Sequence, residues 1–135
     1  MMKFFGDNVV DADSLSPLTL AFVGDAVFDV FARTYLAKPS SSVNTLHKTA
    51  ASRVSAKGQS DAVLYIYDML SEDERRIYKR GRNAKSATVP KNADVTDYRR
   101  ATGLEALIGY KYLADDFERL NEILNLCVKS WERND

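Results

Sequence analysis

One cysteine, one histidine, three prolines and almost no strand signal occur in 135 residues, and each scarcity closes off a class of protein. The lone Cys127 cannot form an intramolecular disulfide, so the chain must be held by its core. His47 has no second histidine or cysteine at ligand spacing and reads as a surface or satisfied histidine, not a zinc ligand. No nucleophilic triad is suggested, and KRGRN at 79 to 83 lacks the spacing of a phosphate-binding glycine loop. The opening MMKFFGDNVVDADS has only a phenylalanine pair ahead of its acids, with no apolar h-region, and no run approaches the length of a membrane span. Repeats and low-complexity tracts are absent as well. The expectation is a soluble, cytoplasmic, single domain spanning residues 1–135, long enough to bury a core without metal or disulfide.

The net charge is zero, but it is unevenly spread. From Arg75 to Arg100 nine Lys or Arg stand against two Asp, whereas residues 1–31 hold five Asp and only Lys3. A basic segment and an acidic one in a neutral chain suggest recruitment of a polyanion at one place and of cations at another. Lys79, Arg80, Arg82, Lys85 and Lys91, with Asn83 and Asn92, fall at a helix end and in the loop after it, where long side chains can reach phosphates. Residues 75–85 contain no acid to pair with them.

What is abundant is helical periodicity. Ser16-Pro17 is a start signal, a hydroxyl cap before proline at the first helical position, and apolar residues recur at 20, 23, 27, 28, 31 and 35 as far as Leu36. After the loop Lys38 to Ser42, a helical run from about Val43 continues to Leu70, with Gly58 as its expected break. Ser71-Glu-Asp-Glu74 matches a capping box opening a short basic helix through Arg82. Residues 84–95 have turn composition and read as an exposed loop, and two last helices are predicted from about Asp97 to Ala114 and from Asp116 to about Arg133. Cys127 falls in register with Phe117, Leu120, Leu124 and Trp131, the pattern of a buried thiol. The fold class is all-α, with about six helices, the first and fifth apolar nearly all round and therefore central.

Those two helices carry misplaced charges. LAFVGDAVFD at 20 to 29 sets Asp25 in an apolar helix, and LEALIGYKYL at 104 to 113 does the same with Glu105. A carboxylate on the core side costs several kcal/mol unless it is paired. Ala21, Gly24 and Ala26 keep the first neighbourhood slim, as Ala101, Thr102, Gly103, Ala106 and Gly109 do the second, so the two helices can approach closely. If they do, Asp25 and Glu105 meet, and like charges in a partly buried site push a pKa upward. A hard divalent cation would remove the conflict, with oxygen ligands favouring Mg²⁺ or Mn²⁺ over zinc, and pairing with Arg33, Arg99 or Arg100 would remove it equally well. Spacing alone does not choose between them.

GDAVFD at 24 to 29, preceded by LAFV, resembles the signature helix of the ribonuclease III catalytic domain, and LEALIGYKYL resembles that family's second acidic helix. The two stand in the right order about eighty residues apart, and the segment from Arg80 to Arg99 is similar to the loop of the short Mini-ribonuclease III form, which lacks an appended double-stranded-RNA-binding domain. The resemblance implies an endonuclease-domain helical fold and a Mg²⁺-dependent hydrolase, with Mn²⁺ as substitute. Asp25 and Glu105 would be its catalytic metal ligands, cutting double-stranded RNA to a 5′-phosphate and a 3′-hydroxyl. It further implies a homodimer whose face includes the signature helix, where Phe28, Phe31 and Tyr35 are candidate contributors that core packing explains equally well, and a role in ribosome biogenesis, the maturation of large-subunit (23S) ribosomal RNA precursor. A ribosomal protein that shapes the RNA is the expected helper. Where the longer enzymes carry a Glu four residues before the Asp and an Asp three residues before the Glu, this chain has Ala21 and Thr102. Asp29, one turn past Asp25, is read as a contact supporting the ligands or a structural one, with partial compensation for the missing acids as the alternative. The thinner acid set keeps a second expectation open, a non-catalytic RNA-binding or ribosome-assembly module on the same fold.

Overall fold

Serine hydroxyls set most of the helix starts. In the computed structural model, which describes residues 10–85, 89–91 and 94–133, six α-helices follow one another: α1 Pro17–Leu36, α2 Val43–Val54, α3 Ala56–Ile66, α4 Glu72–Asn83, α5 Val95–Leu113 and α6 Phe117–Arg133. Single 3-10 turns lie at Ala12–Ser14 and Tyr67–Met69, and no strand occurs among the described residues. Ser16, Ser42, Ser55 and Ser71 each accept a backbone N–H of the first turn, and Glu74 completes the capping box by accepting from the Ser71 N–H.

Three boundaries differ from expectation, the simplest being that α3 ends at Ile66 and gives way to the 3-10 turn Tyr67–Met69 where helix was expected up to Leu70. The run after Val43 breaks at Ser55, not at Gly58, because the Ser55 hydroxyl ends α2 by donating to the Ser52 carbonyl and caps α3 by accepting from the Gly58 N–H. The fifth helix starts at Val95, two residues early, because the Asp94 carboxylate caps it by accepting from the Asp97 N–H at 3.0 Å. Residues 86–88 and 92–93 of the expected loop, Asn92 among them, lie outside the described residues.

α5 is the central element, packed on α1, α3, α4 and α6. Leu104, Leu107 and Ile108 on it are fully buried with Phe28, Ile66 and Ile123. α1 is less central than its composition suggests: Phe28 and Ala32 are buried, but Phe22 and Val30 are 80% and 55% exposed. Cys127 is buried as its register implies, and burial pushes its thiol up to about 12, so it is inert. His47 is exposed.

Glycine sets how near the helices come. A methyl group on Gly24 would overlap the Glu105 carbonyl and stand 2.8 Å from the Gly109 nitrogen, and one on Gly109 would overlap the Leu20 carbonyl. The α1–α5 crossing is thus a contact of backbone on backbone. Gly81 and Gly103 do the same for α4 on α5, where a Gly103 methyl would meet the Tyr78 ring at 2.6 Å.

A buried acid ties the other end. Glu74 accepts from Arg119 Nε and Nη2, both at 2.8 Å, and pairs with Lys111 Nζ at 3.1 Å, linking α4 to α5 and α6. The Arg119 hydrogen bonds hold its carboxyl down at about 2. Replacing Gly24 or Gly109 by alanine should destabilise the protein by about 3 kcal/mol or more, since backbone cannot yield as side chains do; thermal melts of the two variants check this, and an unchanged melting temperature would contradict it.

Candidate active site

The crossing of α1 and α5 brings the two singular acids together. With Gly24 against the Glu105 carbonyl, Asp25 and Glu105 face each other within hydrogen-bonding reach. Asp25, however, is exposed at the edge of α1 and not on its core side, because the buried stripe runs through Leu20, Ala21, Gly24 and Phe28. Glu105 is the acid that burial penalises. Its carboxyl is pushed up to about 8, first by desolvation and further by the neighbouring Asp25, while a hydrogen bond from Gln59 opposes the rise.

The arginine alternative is not realised. Arg33 donates to Asp29 at 2.9 Å, which makes Asp29 a structural partner as expected, and among the described residues no Lys or Arg forms an ion pair with Asp25 or Glu105. The acid pair is left facing itself. Two carboxylates with an exposed edge suit a hard divalent cation, which accepts oxygen ligands and keeps waters. No group of three or more His, Cys, Asp or Glu suited to a metal gathers among the described residues, so a cation at this crossing would have Asp25 and Glu105 as its side-chain ligands. Ala21 is buried in an apolar cluster with Leu20, Ala106 and Leu113, so its position is filled by packing. Thr102, one turn before Glu105, turns its hydroxyl back to the Tyr98 carbonyl at 3.0 Å.

The sequence missed Gln59. This amide on α3 is buried and donates to Glu105 Oε2 at 3.1 Å, a link across 46 residues that no local spacing reveals.

The basic residues divide between two hollows. Lys79, Arg80 and Asn83 line an open groove along α4 with Arg75, Arg76 and Tyr67. Arg82 and Lys85 line a smaller one with Arg99 and Thr102, next to the acid-bearing turn of α5. Lys91 is exposed in a turn. Arg76 reaches back to Asp73 at 2.6 Å, and Arg75 lies over the Tyr67 ring, so those two are engaged although no acid stands within residues 75–85. No ion pair engages Lys79 or Arg80 among the described residues. Of the aromatic residues expected at a dimer face, Phe28 is fully buried against Trp131, and Phe31 and Tyr35 also pack on that ring. Phe31 nevertheless lines, with Phe22, Val23, Ala26 and Val30, a groove that reaches Asp25, and Tyr35 is partly exposed, so of the three only Phe28 is withdrawn from the surface.

The all-α architecture is that of a ribonuclease III domain, and the family model of that description, the Ribonuclease III domain, matches residues 18–116. The Mini-ribonuclease 3 of Thermoanaerobacter sp. (strain X514) is 55% identical over 117 residues, which are 86% of this chain and 82% of that protein. The Mini-ribonuclease 3 of Clostridium tetani is 43% identical over 99% of this chain and 92% of its own. A Fusobacterium nucleatum protein of known crystal structure superposes with a TM-score of 0.77 at 37% identity, covering 86% of this chain and 93% of that one. The chain belongs to the ribonuclease III family of endoribonucleases, in its Mini-ribonuclease III group.

The raised Glu105 carboxyl has a consequence in metal-free protein. The folded state holds this proton above the ordinary carboxylate range, so the stability it contributes is complete below about 4.5 and is lost as pH rises through about 8. Glu74 acts oppositely, its contribution being present above 4.5 and lost as pH falls through about 2. In EDTA, therefore, melting temperature should decline between pH 5 and pH 9, and Glu105→Gln should flatten that decline. Parallel curves for the two proteins would refute the assignment.

Proposed function

We propose that this chain is a Mg²⁺-dependent endoribonuclease that cuts double-stranded RNA, with Mn²⁺ able to replace Mg²⁺, and that its substrate is a paired stem of the large-subunit (23S) ribosomal RNA precursor in the cytoplasm. The observation that carries the reading is the apposed pair Asp25 and Glu105, which no basic side chain neutralises among the described residues of a ribonuclease III family member. A pure binding surface has no use for two facing carboxylates. They would hold the ion, which when bound lowers the pKa of a water and stabilises charge on the leaving oxygen of an in-line displacement. Asp25, at the exposed edge, meets the incoming phosphodiester. Glu105, fixed on the central helix, keeps the position of the pair relative to the core. The products are a 5′-phosphate and a 3′-hydroxyl.

Lys79, Arg80, Arg82, Asn83, Lys85 and Lys91 are the residues assigned to RNA, with Asn92 from outside the described set. A-form duplex is met mostly through phosphates and 2′-hydroxyls, which long cationic side chains and amides on an open helix face can reach. The exposed Phe22 and Val30 beside the site support a homodimer in which each subunit cuts one strand. A protein that sediments as a monomer while cutting both strands would remove that part. A ribosomal protein that shapes the stem is the expected partner, and a bare precursor cut at full rate and at the right bond would dispense with it.

Incubation of the purified protein with a perfect RNA duplex and Mg²⁺ tests the chemistry. Asp25→Asn and Glu105→Gln should each lower kcat by about 100-fold or more, in line with the loss of groups that stabilise developing charge. Equal cutting by variants and parent would exclude the metal mechanism, and no cutting by any of them would favour a non-catalytic RNA-binding module. Lys79→Ala and Arg80→Ala should weaken duplex binding similarly for all sequences and reduce the slope of log affinity against log salt by about one each; an unchanged slope would take those residues out of the interface.

A further inference from the structure

Gln59 stands apart from the other buried polar residues because it joins the acid pair to a third helix, α3. It is 2% exposed, its Nε2 donates both to the Val54 carbonyl at 2.9 Å and to Glu105 Oε2 at 3.1 Å, and its Oε1 has no hydrogen-bond partner among the described residues. A primary amide has two N–H groups, and both are spent on oxygen acceptors. The Val54 carbonyl is an acceptor in every protonation state, so the nitrogen cannot exchange places with the oxygen without setting two acceptors against each other. The donor aimed at Glu105 is therefore fixed by chemistry.

The elbow that holds Gln59 is equally fixed. Ser55 joins α2 to α3, and a methyl on the next-door Gly58 would come within 2.6 Å of the Arg53 carbonyl, so α3 leaves the elbow at one close distance from the end of α2. Gln59 follows immediately and reaches Glu105 from α3, while Asp25 neighbours it from α1. An apolar residue of the same size would remove the donor from the Val54 carbonyl and from Glu105 together, so the amide serves the end of α2 as well as the acid.

We infer that Gln59 is a positioning residue for the divalent-cation site: its Nε2–H fixes the rotation of the Glu105 carboxylate so that the remaining lone pairs stay directed to a cation shared with Asp25. The inference rests on the metal-dependent reading above. Hydrogen bonds from outside the ligand set orient carboxylate ligands, and losing one weakens metal affinity 10- to 100-fold.

Mn²⁺ binding, followed by electron paramagnetic resonance or water-proton relaxation on purified protein without RNA, tests this separately from turnover. Gln59→Met, which keeps the volume and removes the donor, should bind Mn²⁺ about 10-fold or more weakly while melting cooperatively in EDTA. In duplex cleavage the Met variant should need correspondingly more Mn²⁺ for half-maximal rate and recover most of its kcat at saturating metal, whereas general damage to the fold would lower kcat at every metal concentration. In the unaltered protein, the Gln59 side-chain amide resonances should shift on addition of Mg²⁺. A folded variant that binds Mn²⁺ within twofold of the parent, or amide resonances indifferent to Mg²⁺, would overturn the positioning role alone. A parent protein that binds no Mn²⁺ would overturn the metal reading itself.

Discussion

The contact of Gly24 with Gly109 is the constraint on which the rest depends. Because neither residue has a side chain, α1 and α5 meet backbone to backbone, and the Glu105 carbonyl occupies the space where a Gly24 methyl would stand. Asp25 follows Gly24 in sequence, so this one approach sets how far its carboxylate lies from that of Glu105. Ala21 and Ala106 belong to one apolar cluster beside this crossing. Packing and chemistry at this point are one geometric fact.

Glu74 and Glu105 show how completely the surroundings decide what a buried glutamate does. Glu74 meets two cations and the N–H of its own helix cap, which stabilise its charge so well that its proton is held only near pH 2. Glu105 meets an amide, a second acid and apolar packing, and retains its proton to about pH 8. The first is a strut that ties three helices together. The second is a carboxylate whose charge the fold alone does not compensate, which is the condition under which a cation is attracted. Gln59 supplies a partial compensation and an orientation, without the positive charge that would compete with a metal.

Surface properties divide along the same helices. α1 turns Phe28 and Ala32 inward and Phe22 and Val30 outward, so an apolar strip runs to the edge where Asp25 emerges. α4 shows solvent a cationic face, and its Gly81 seats it closely on α5. The acid-bearing turn of α5 therefore lies between an apolar face and a basic one. Arg82, Lys85 and Arg99 share a hollow with Thr102, one helical turn from Glu105. A polyanionic strand and a hydrophobic partner can approach such a site from different sides without displacing each other.

Local patterns in the chain were enough for the helices, their number and most of their ends. Hydroxyl caps, the Ser71–Glu74 box and the apolar period are interactions within a few residues, and they read correctly even where the boundary moved to Ser55 or Asp94. The slim faces around Asp25 and Glu105 were legible too, because small residues at helical spacing permit close approach whatever packs there. Three things were not legible. Which side of α1 is buried depended on where α5 lies, and this turned Asp25 outward and Phe28 inward. Whether an arginine or a second acid faced Glu105 depended on a crossing between segments eighty residues apart. Gln59 was silent for the same reason, since a hydrogen bond between α3 and α5 leaves no periodic trace in either. Sequence encodes propensity over a turn or two of helix, while the neighbours of a buried charge are chosen by how distant helices pack, and the chemistry of this site follows from those neighbours.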